Sequence, residues 1–309
     1  MRVRTSSRNS TTVRNITMLA LLRASFLVEG WLAPAAAVRR AARLFATPQP
    51  SSRTRARRAA AVGAEEHQLV VDGLPLQVYV WGDPAHQPYV LFSHGWSSHG
   101  TRIAAWLPRL RDAGFAVVAF DQAAHGKSGG VRTTLPAFAC HLIAVGRRFG
   151  PAHAVIGHSL GGAAAMLALA SGLRAERAVL LAPPADPLAA AERFSRFVWL
   201  AAHLSRRMFA RFERALRVDA EDLQAHRIAP AVARPALVVH DLEDREVPWA
   251  EGERYARLCP QARLLTTRGL GHHRIVDDTG VIEAAMRFLR GEAVGDRVVS
   301  TPNLPYGIA

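Results

Sequence analysis

The sequence predicts an α/β fold, in which a mostly parallel sheet carries helices on both faces. The first observation is that short apolar runs typical of buried strands alternate with helical patterns along most of the 309 residues. The second is an abrupt passage from strand to helix at a serine that glycines flank on both sides. The third is a stretch of about fifty residues with a helical pattern and no strand, which predicts a helical insertion.

The predicted sheet begins with an antiparallel pair. Residues 68–71 and 76–81 read as strands, and Asp72-Gly73 between them is typical of a tight hairpin turn. The elements that follow alternate, with strands at 89–92, 116–120, 153–156, 177–181, 236–240 and 262–267, and helices at 101–113, 135–149, 160–173, 251–258 and 280–289. This order predicts parallel strands joined by helices, and about 225 residues are enough for one large core.

The insertion lies between Pro183-Pro184 and the strand at 236–240. Its apolar side chains recur at spacings of three and four residues, as on one face of a helix: Phe194, Phe197, Val198, Ala201, Leu204 and Met208. We therefore expect a helical cap at about 184–234. Its apolar face either packs onto the core or forms an apolar roof over the serine that glycines flank.

That serine is Ser159, in the run Gly157-His158-Ser159-Leu160-Gly161. Residues 152–156 before it are mostly apolar and 163–173 after it are rich in alanine, which predicts a strand-to-helix turn at Ser159. The turn is so tight that side chains at 157 and 161 would collide with backbone, which explains both glycines. The serine oxygen would then stand near a helix N-terminus, where an oxyanion can be stabilised.

Three further loops follow predicted strands. Residues 89–92 run into Ser93-His94-Gly95-Trp96, residues 236–240 run into the acidic loop 241–248, and residues 263–267 precede Gly269-Leu270-Gly271-His272-His273. An acid and a histidine therefore both lie just past strands, in the chain order serine, aspartate, histidine. This order differs from those of trypsin and subtilisin.

With these motifs the chain resembles the α/β-hydrolase superfamily over about residues 68–291. Within it, the chain is similar to bacterial serine hydrolases described as esterases, lysophospholipase-like or monoacylglycerol-lipase-like enzymes. The run from Phe120 to Ser128 also matches the D-x-x-G-H-G-x-S loop of the family, except that Ala124 stands where glycine is usual. The resemblance implies the α/β-hydrolase fold with a helical cap insertion.

The resemblance also implies a role for each motif. Ser159 is expected to be the nucleophile and His272 the base, with Asp244 holding the imidazole in the right tautomer. The backbone N–H groups of Trp96 and Leu160 are expected to form the oxyanion hole.

Each of the two partners of the serine has an alternative. His273 could replace His272 as the base, but a glycine directly before the histidine is the pattern of the family. Asp241 and Asp186 could replace Asp244 as the acid. Asp244 is preferred because the run from Asp244 to Pro248 closely matches the D-x-x-V-P acid loop of the family.

These roles predict a serine hydrolase that cleaves a carboxylic ester of an apolar or acyl substrate through an acyl-enzyme. Hydrolysis of an amide, thioester or carbon–carbon bond is the alternative within this fold, and a non-catalytic α/β-hydrolase-like binding protein is the second. Serine rather than aspartate at the turn argues against dehalogenase or epoxide-hydrolase chemistry. No cofactor is predicted, and the remaining histidines lack the spacing of a metal site.

Positive charge is concentrated in the N-terminal extension, residues 1–62. Twelve arginines and one acid, Glu29, give this extension +11 of the net charge of +14. The predicted hydrolase domain, residues 63–309, carries the remaining +3. Such a small charge gives no reason to expect nucleic acid as a partner or substrate.

The extension is expected to contain an amphipathic helix and a linker. Charges and a proline interrupt the apolar stretch 16–38, so it does not predict a transmembrane span. After Pro34, basic and apolar residues separate onto two faces, with Arg39, Arg40 and Arg43 on one and Val38, Ala41 and Phe45 on the other. This pattern indicates a helix at a membrane interface, and residues 48–58 read as a basic linker.

Three alternatives compete with membrane contact. The extension could be a secretory signal, with small residues at 33–37, or translation could start at Met18 and leave 1–17 as unstructured polar sequence. The helix could also simply pack onto the domain. Two cysteines, Cys140 and Cys259, build no disulfide framework, so we expect a cytoplasmic protein. The basic amphipathic helix adds the expectation of peripheral contact at the inner face of the membrane.

Overall fold

The structure, a computed structural model, describes residues 6–299, with side chains from Thr17 onward. Its sheet has eight strands: β1 (Glu65–Val71), β2 (Leu74–Trp81), β3 (Tyr89–Ser93), β4 (Ala116–Phe120), β5 (Ala152–His158), β6 (Ala175–Leu181), β7 (Ala236–Asp241) and β8 (Ala262–Thr267). The strand order is β1-β2-β4-β3-β5-β6-β7-β8. Strand β2 is antiparallel to β1 and β4, and all other pairs are parallel. The predicted α/β-hydrolase fold with its antiparallel start is confirmed.

The α-helices of the described residues are, in chain order, α1 (Ser6–Leu32), α2 (Pro34–Phe45), α3 (Pro50–Arg58), α4 (Leu107–Asp112), α5 (Leu135–Phe149), α6 (Leu160–Ala170), α7 (Pro187–Val198), α8 (Ala202–Leu216), α9 (Ala225–Ile228), α10 (Trp249–Leu258), α11 (Gly271–Arg274) and α12 (Thr279–Leu289). The central strands are buried on both faces, because helices cover each side. In β3, Leu91 points into one core cluster while Val90 and Phe92 point into the other. This two-sided burial makes the sheet a rigid base for the loops at its edge.

The chain forms two compact units. One consists of Met1–Ala46 and Pro187–Ala220, and the other of Thr47–Asp186 and Glu221–Ala309. Residues 1–5 and 300–309, which the predicted segments 1–62 and 63–309 include, lie outside the described residues. The boundaries of the two units therefore differ from those of the predicted segments, because α1 and α2 group with α7 and α8, whereas α3 groups with the sheet.

The boundaries of the insertion also differ from the predicted cap at about 184–234. Helices α7 and α8 belong to the first unit, whereas α9 and the turn after it belong to the second. Ala225, Ile228 and Val232 are buried in the same core cluster as strands of the sheet. The last part of the predicted cap is therefore part of the hydrolase core.

The first unit is a cluster of four helices, α1, α2, α7 and α8. Val198, Leu204 and Met208 of the predicted apolar stripe are buried there against Phe26 and Val38. The stripe therefore packs inside its own unit, and a roof over the serine stays a prediction. The apolar face of α2 is buried in the same cluster, so the structure favours the packing alternative for this helix.

The segment predicted as a linker is folded. Helix α3 begins at Pro50, a residue well suited to the first position of a helix, and it buries Ser52 and Ala56. The alternative in which translation starts at Met18 described residues 1–17 as unstructured, but the chain is helical from Ser6 onward, in α1. Within the described residues, no helix is long and apolar enough to cross a membrane, as the interrupted stretch 16–38 predicted.

Candidate active site

Ser159 lies at the sharp turn between β5 and α6. Its backbone has φ +51° and ψ −125°, a strained conformation for a residue with a side chain. A Cβ atom on Gly157 would lie 2.5 Å from the Gly161 carbonyl oxygen, and one on Gly161 would lie 2.2 Å from the Ser93 carbonyl oxygen. The explanation that glycine is required at both positions is confirmed.

Ser159, His272 and Asp244 form a continuous hydrogen-bonded row. The Ser159 Oγ atom lies 2.9 Å from His272 Nε2, and His272 Nδ1 lies 2.7 Å from Asp244 Oδ2. The imidazole is 5% exposed and the carboxylate is fully buried. The structure therefore brings together the three side chains that the sequence singled out, although 113 residues separate Ser159 from His272.

The Asp244 carboxylate is held in place from several sides. Its Oδ1 atom accepts hydrogen bonds from the backbone N–H groups of Glu246 at 2.8 Å and Val247 at 2.9 Å. The Nε2 atom of His240 lies 3.5 Å from Oδ2 and 3.0 Å from the Val247 carbonyl oxygen. Burial alone would raise the pKa of Asp244, but hydrogen bonds from His240 and His272 outweigh burial and hold the pKa well below its usual range. The carboxylate is thus ionised at neutral pH.

The neighbouring histidines differ from His272 in their surroundings. The side chain of His273 is 71% exposed and pairs with Glu246 at 2.8 Å, a hydrogen bond that raises the pKa of His273. His158 Nε2 lies 2.9 Å from the His272 carbonyl oxygen, and burial lowers the pKa of His158 to about 3. Neutral His158 can therefore support the backbone of His272, while the His273 ring pairs with Glu246.

The alternative acids make other contacts. Asp241 Oδ2 accepts hydrogen bonds from the Thr267 hydroxyl at 2.7 Å and the Leu270 N–H at 3.0 Å. It therefore ties β7 to the loop that leads to His272. Asp186 lies 3.7 Å from Arg254 in a partly exposed ion pair.

The loop after β3 lies directly against Ser159. A Cβ atom on Gly95 would be 3.0 Å from the Ser159 Cβ atom. Within the described part of the chain, neither the Trp96 nor the Leu160 backbone N–H donates a hydrogen bond to a protein acceptor. Both donors, expected from sequence to bind an oxyanion, are therefore available beside the serine.

Two buried histidines brace this loop. His94 Nδ1 donates to the Gly95 carbonyl at 2.7 Å, and His94 Nε2 accepts from the Gln122 N–H at 3.0 Å. His125 Nε2 accepts from the Ser97 N–H at 3.0 Å. Burial lowers the pKa of His94 and of His125 to about 3, so both rings are neutral and keep an acceptor nitrogen. The loop is therefore fixed through imidazole hydrogen bonds.

Helix α3 and Gln49, the residue before it, hold two loops, the loop after β3 and the loop at 126–130. The sequence did not predict this role. The Arg53 guanidinium donates to the carbonyls of Ser128 at 2.9 Å and Gly130 at 2.7 Å. The Gln49 N–H donates to Ser97 Oγ at 2.9 Å, and Arg55 donates to the Ser97 carbonyl at 3.0 Å. Charge alone marked this segment as a basic linker, and no motif distinguished Arg53 from its neighbours.

The family follows from the sequence match, which covers just over half of the chain. Residues 84–246 match the family model described as serine aminopeptidase, S33. The chain belongs to this family of α/β hydrolases. The match begins before β3 and ends in the loop that carries Asp244, so it contains Ser159 and the loop after β3.

Solved structures show the same fold. A thermophilic esterase from Thermogutta terrifontis is 22% identical and superposes with a TM-score of 0.54 over 74% of this chain and 98% of its own. Alpha/beta hydrolase domain-containing protein 10 from mouse is 18% identical, with a TM-score of 0.58 over 74% and 97%. The thioesterase domain from the curacin biosynthetic pathway is 17% identical, with a TM-score of 0.55 over 74% and 99%.

Proposed function

We propose that this α/β hydrolase is a serine hydrolase that cleaves a carboxylic ester of an apolar or acyl substrate. The observation that supports the proposal most directly is the hydrogen-bonded row from Asp244 through His272 to Ser159. A serine hydroxyl is a weak nucleophile at neutral pH unless a positioned base takes its proton. His272 lies at the distance that such a proton transfer requires.

In the proposed reaction, His272 Nε2 accepts the proton of Ser159 Oγ as this oxygen attacks the ester carbonyl carbon. The negative charge that develops on the carbonyl oxygen is stabilised by the N–H groups of Trp96 and Leu160. Ionised Asp244 stabilises the imidazolium that forms on His272. The imidazolium then donates its proton to the departing alcohol, and the acyl group remains on Ser159.

The second half of the reaction repeats these steps with water. His272 removes a proton from a water molecule, which attacks the acyl carbonyl, and the imidazolium returns the proton to Ser159 Oγ. The free acid leaves and the enzyme regains its starting state. Each donor of the oxyanion hole is expected to lower the barrier by about 2.7–4 kcal/mol, so both halves of the reaction depend on the loop after β3.

An ester is the favoured substrate class, and one comparison supports it without naming the substrate, because a similar structure is described as an esterase. Another similar structure is described as a thioesterase domain, which keeps the thioester alternative. The family description, serine aminopeptidase, keeps amide hydrolysis as the alternative. A non-catalytic binding protein is less well supported because the row of three side chains and both free N–H donors are present together.

The test is a substrate series at neutral pH. Initial rates are measured with p-nitrophenyl esters of increasing acyl length and with a thioester and an anilide of matching acyl groups. The proposal expects turnover of the esters and the highest kcat/KM for one of them. Faster cleavage of the anilide would favour the amide alternative, and no turnover of any substrate would favour a binding protein.

The sequence-based expectation of a cytoplasmic location remains a proposal. Cys140 and Cys259 are both free thiols in the structure. This state is compatible with a reducing compartment.

A further inference from the structure

Helix α1 presents an apolar face to solvent. Between residues 17 and 32, the exposed positions are Thr17, Met18, Ala20, Leu21, Ala24, Leu27, Val28, Trp31 and Leu32. At 3.6 residues per turn these positions fall within about half of the helix circumference. None of these described side chains is charged. A helix of a water-soluble unit normally shows the opposite arrangement, with polar residues outside.

The exposure is large for such bulky side chains. Trp31 is 83% exposed, and Met18, Leu21 and Leu32 are each about two-thirds exposed. A single exposed leucine on a protein surface requires no explanation, but a contiguous apolar face marks an interaction site.

The charged residues of α1 between Thr17 and Leu32 bond to other helices of the first unit instead. The Arg23 Nε atom donates to the Phe197 carbonyl at 2.8 Å. Glu29 pairs with Arg40 of α2 at 3.0 Å, and Arg40 also bonds to Ser25 at 2.9 Å. The charges that interrupt the apolar sequence are therefore used for packing against α2 and α7. They leave the outer face of α1 without a charge between Thr17 and Leu32.

Two exposed aromatic rings of the same unit lie beside α1. The guanidinium of Arg23 sits 5.4 Å from the ring centre of Phe197 and 5.2 Å from that of Trp199. Both rings are about half exposed. Exposed tryptophans on a helical surface are typical of proteins that rest in the headgroup region of a membrane.

The unit that carries this face is strongly cationic. Met1–Ala46 and Pro187–Ala220 contain fifteen arginines against four acids, a net charge of +11, although they hold only about a quarter of the chain. The rest of the chain carries +3. Four of the fifteen arginines, at positions 2, 4, 8 and 14, precede the apolar face in the sequence.

We infer that the outer face of α1, residues 18–32, docks onto an anionic lipid surface. An anionic bilayer complements both properties of the unit, because it accepts apolar side chains at its interface and attracts arginine. A second copy of the chain would complement only the apolar face, since it would bring two units of charge +11 together. The docking surface is thus on α1, rather than on the arginine face of α2 that the sequence pattern indicated.

The test uses the full chain and sedimentation with vesicles. Vesicles of phosphatidylcholine with about 30% phosphatidylglycerol are compared with pure phosphatidylcholine vesicles, at about 0.05 M and about 0.5 M NaCl. We expect the wild-type protein to bind the anionic vesicles at low salt and to bind the neutral vesicles more weakly. The variants Val28→Glu and Trp31→Glu should bind the anionic vesicles at least about tenfold more weakly.

The matched control is Val70→Glu, which adds the same charge at an exposed valine of β1, in the second unit. This variant should bind vesicles like the wild type. All three variants should keep the wild-type melting temperature and p-nitrophenyl ester turnover, because the changed side chains are exposed and distant in sequence from the site.

Two results with vesicles would overturn the inference. In one, the wild-type protein stays in the supernatant with anionic vesicles at low salt. In the other, Trp31→Glu binds vesicles as well as Val70→Glu does. If the wild type is instead a dimer in gel filtration that Trp31→Glu dissociates, the face joins two copies and the lipid inference is wrong.

Discussion

Replacing Asp244 by asparagine tests the proposed division of labour in the site. The substitution keeps the shape of the side chain and the oxygen that accepts from the Glu246 and Val247 N–H groups. It changes the atom 2.7 Å from His272 Nδ1 from an acceptor into an N–H donor. His272 is then favoured in the tautomer with a proton on Nε2, which cannot accept the proton of Ser159.

The expected loss follows from this change of tautomer. In a serine hydrolase the equivalent exchange lowers kcat by about 10⁴-fold, which corresponds to about 5.5 kcal/mol of barrier. We expect a decrease of this size in kcat for p-nitrophenyl ester hydrolysis, with a change in KM of less than about threefold. Thermal unfolding should show that the variant remains folded.

Two variants provide the comparison. Asp186→Asn removes the same charge from a residue whose ion pair is with Arg254, so its kcat should stay within about twofold of wild type. Asp241→Asn weakens the bonds to Thr267 and Leu270 and should have an intermediate effect, because it loosens the loop that carries His272. Equal losses at Asp186 and Asp244, or more than about a tenth of wild-type activity in Asp244→Asn, would refute the assignment.

Three further predictions concern residues around the site. Arg53→Ala should lower kcat about tenfold by loosening the loop at 126–130, while exposed Arg57→Ala should not; equal rates for the two variants would show that Arg53 does not position the site. His273→Asn should retain most of the activity, and a loss as large as that of His272→Asn would reassign the base. The free energy of unfolding should fall as pH decreases from about 6.5 toward 3, because the unfolded chain binds protons first at His94, His125 and His158, whose rings are neutral in the folded chain. Each of these histidines should contribute up to about 1.4 kcal/mol per pH unit. Urea titrations at several pH values should show a smaller dependence of this free energy on pH for a glutamine variant at one of these positions, and an unchanged dependence would contradict a buried neutral ring there.

The sheet could be predicted from sequence because its signals are local. Asp72 and Gly73 adopt positive φ values, as a tight hairpin turn requires, and both residue types favour that conformation. Gly157 and Gly161 mark a backbone contact that no other residue fits. Glycine is usual at position 124 in the family, which indicates a positive φ there. Ala124 has a φ of 68°, a conformation that costs alanine more free energy than glycine.

The side of each helix that is buried could not be predicted in the same way. The apolar face of α2 is buried, as its pattern predicts, whereas α1 exposes many of its apolar residues, among them Leu21, Val28 and Trp31. Arg23 and Glu29 are on the inner side because Phe197 and Arg40 provide partners for them. Those partners lie on other helices, one of them 174 residues away along the chain. Local periodicity contains no information about such distant partners.

The contacts of Arg53 and His240 were not predictable for the same reason. Arg53 donates to three backbone carbonyls more than seventy residues away, and carbonyl acceptors leave no trace in a sequence. His240 belongs to an apolar strand and approaches Asp244 only because the loop after β7 folds back on the strand end. Gly252 permits this approach, since a Cβ atom there would lie 2.2 Å from His240 Nδ1.

Covalent labelling by a fluorophosphonate tests the central claim most directly. The reagent reacts with a serine that a neighbouring base has activated, and the adduct is located by mass spectrometry of the digested protein. We predict one adduct per chain, on the peptide that contains Ser159, with none in Ser159→Ala and a much slower reaction in His272→Asn. Ester hydrolysis that persists in Ser159→Ala, or an adduct on a different residue, would contradict the assignment of Ser159 as the nucleophile.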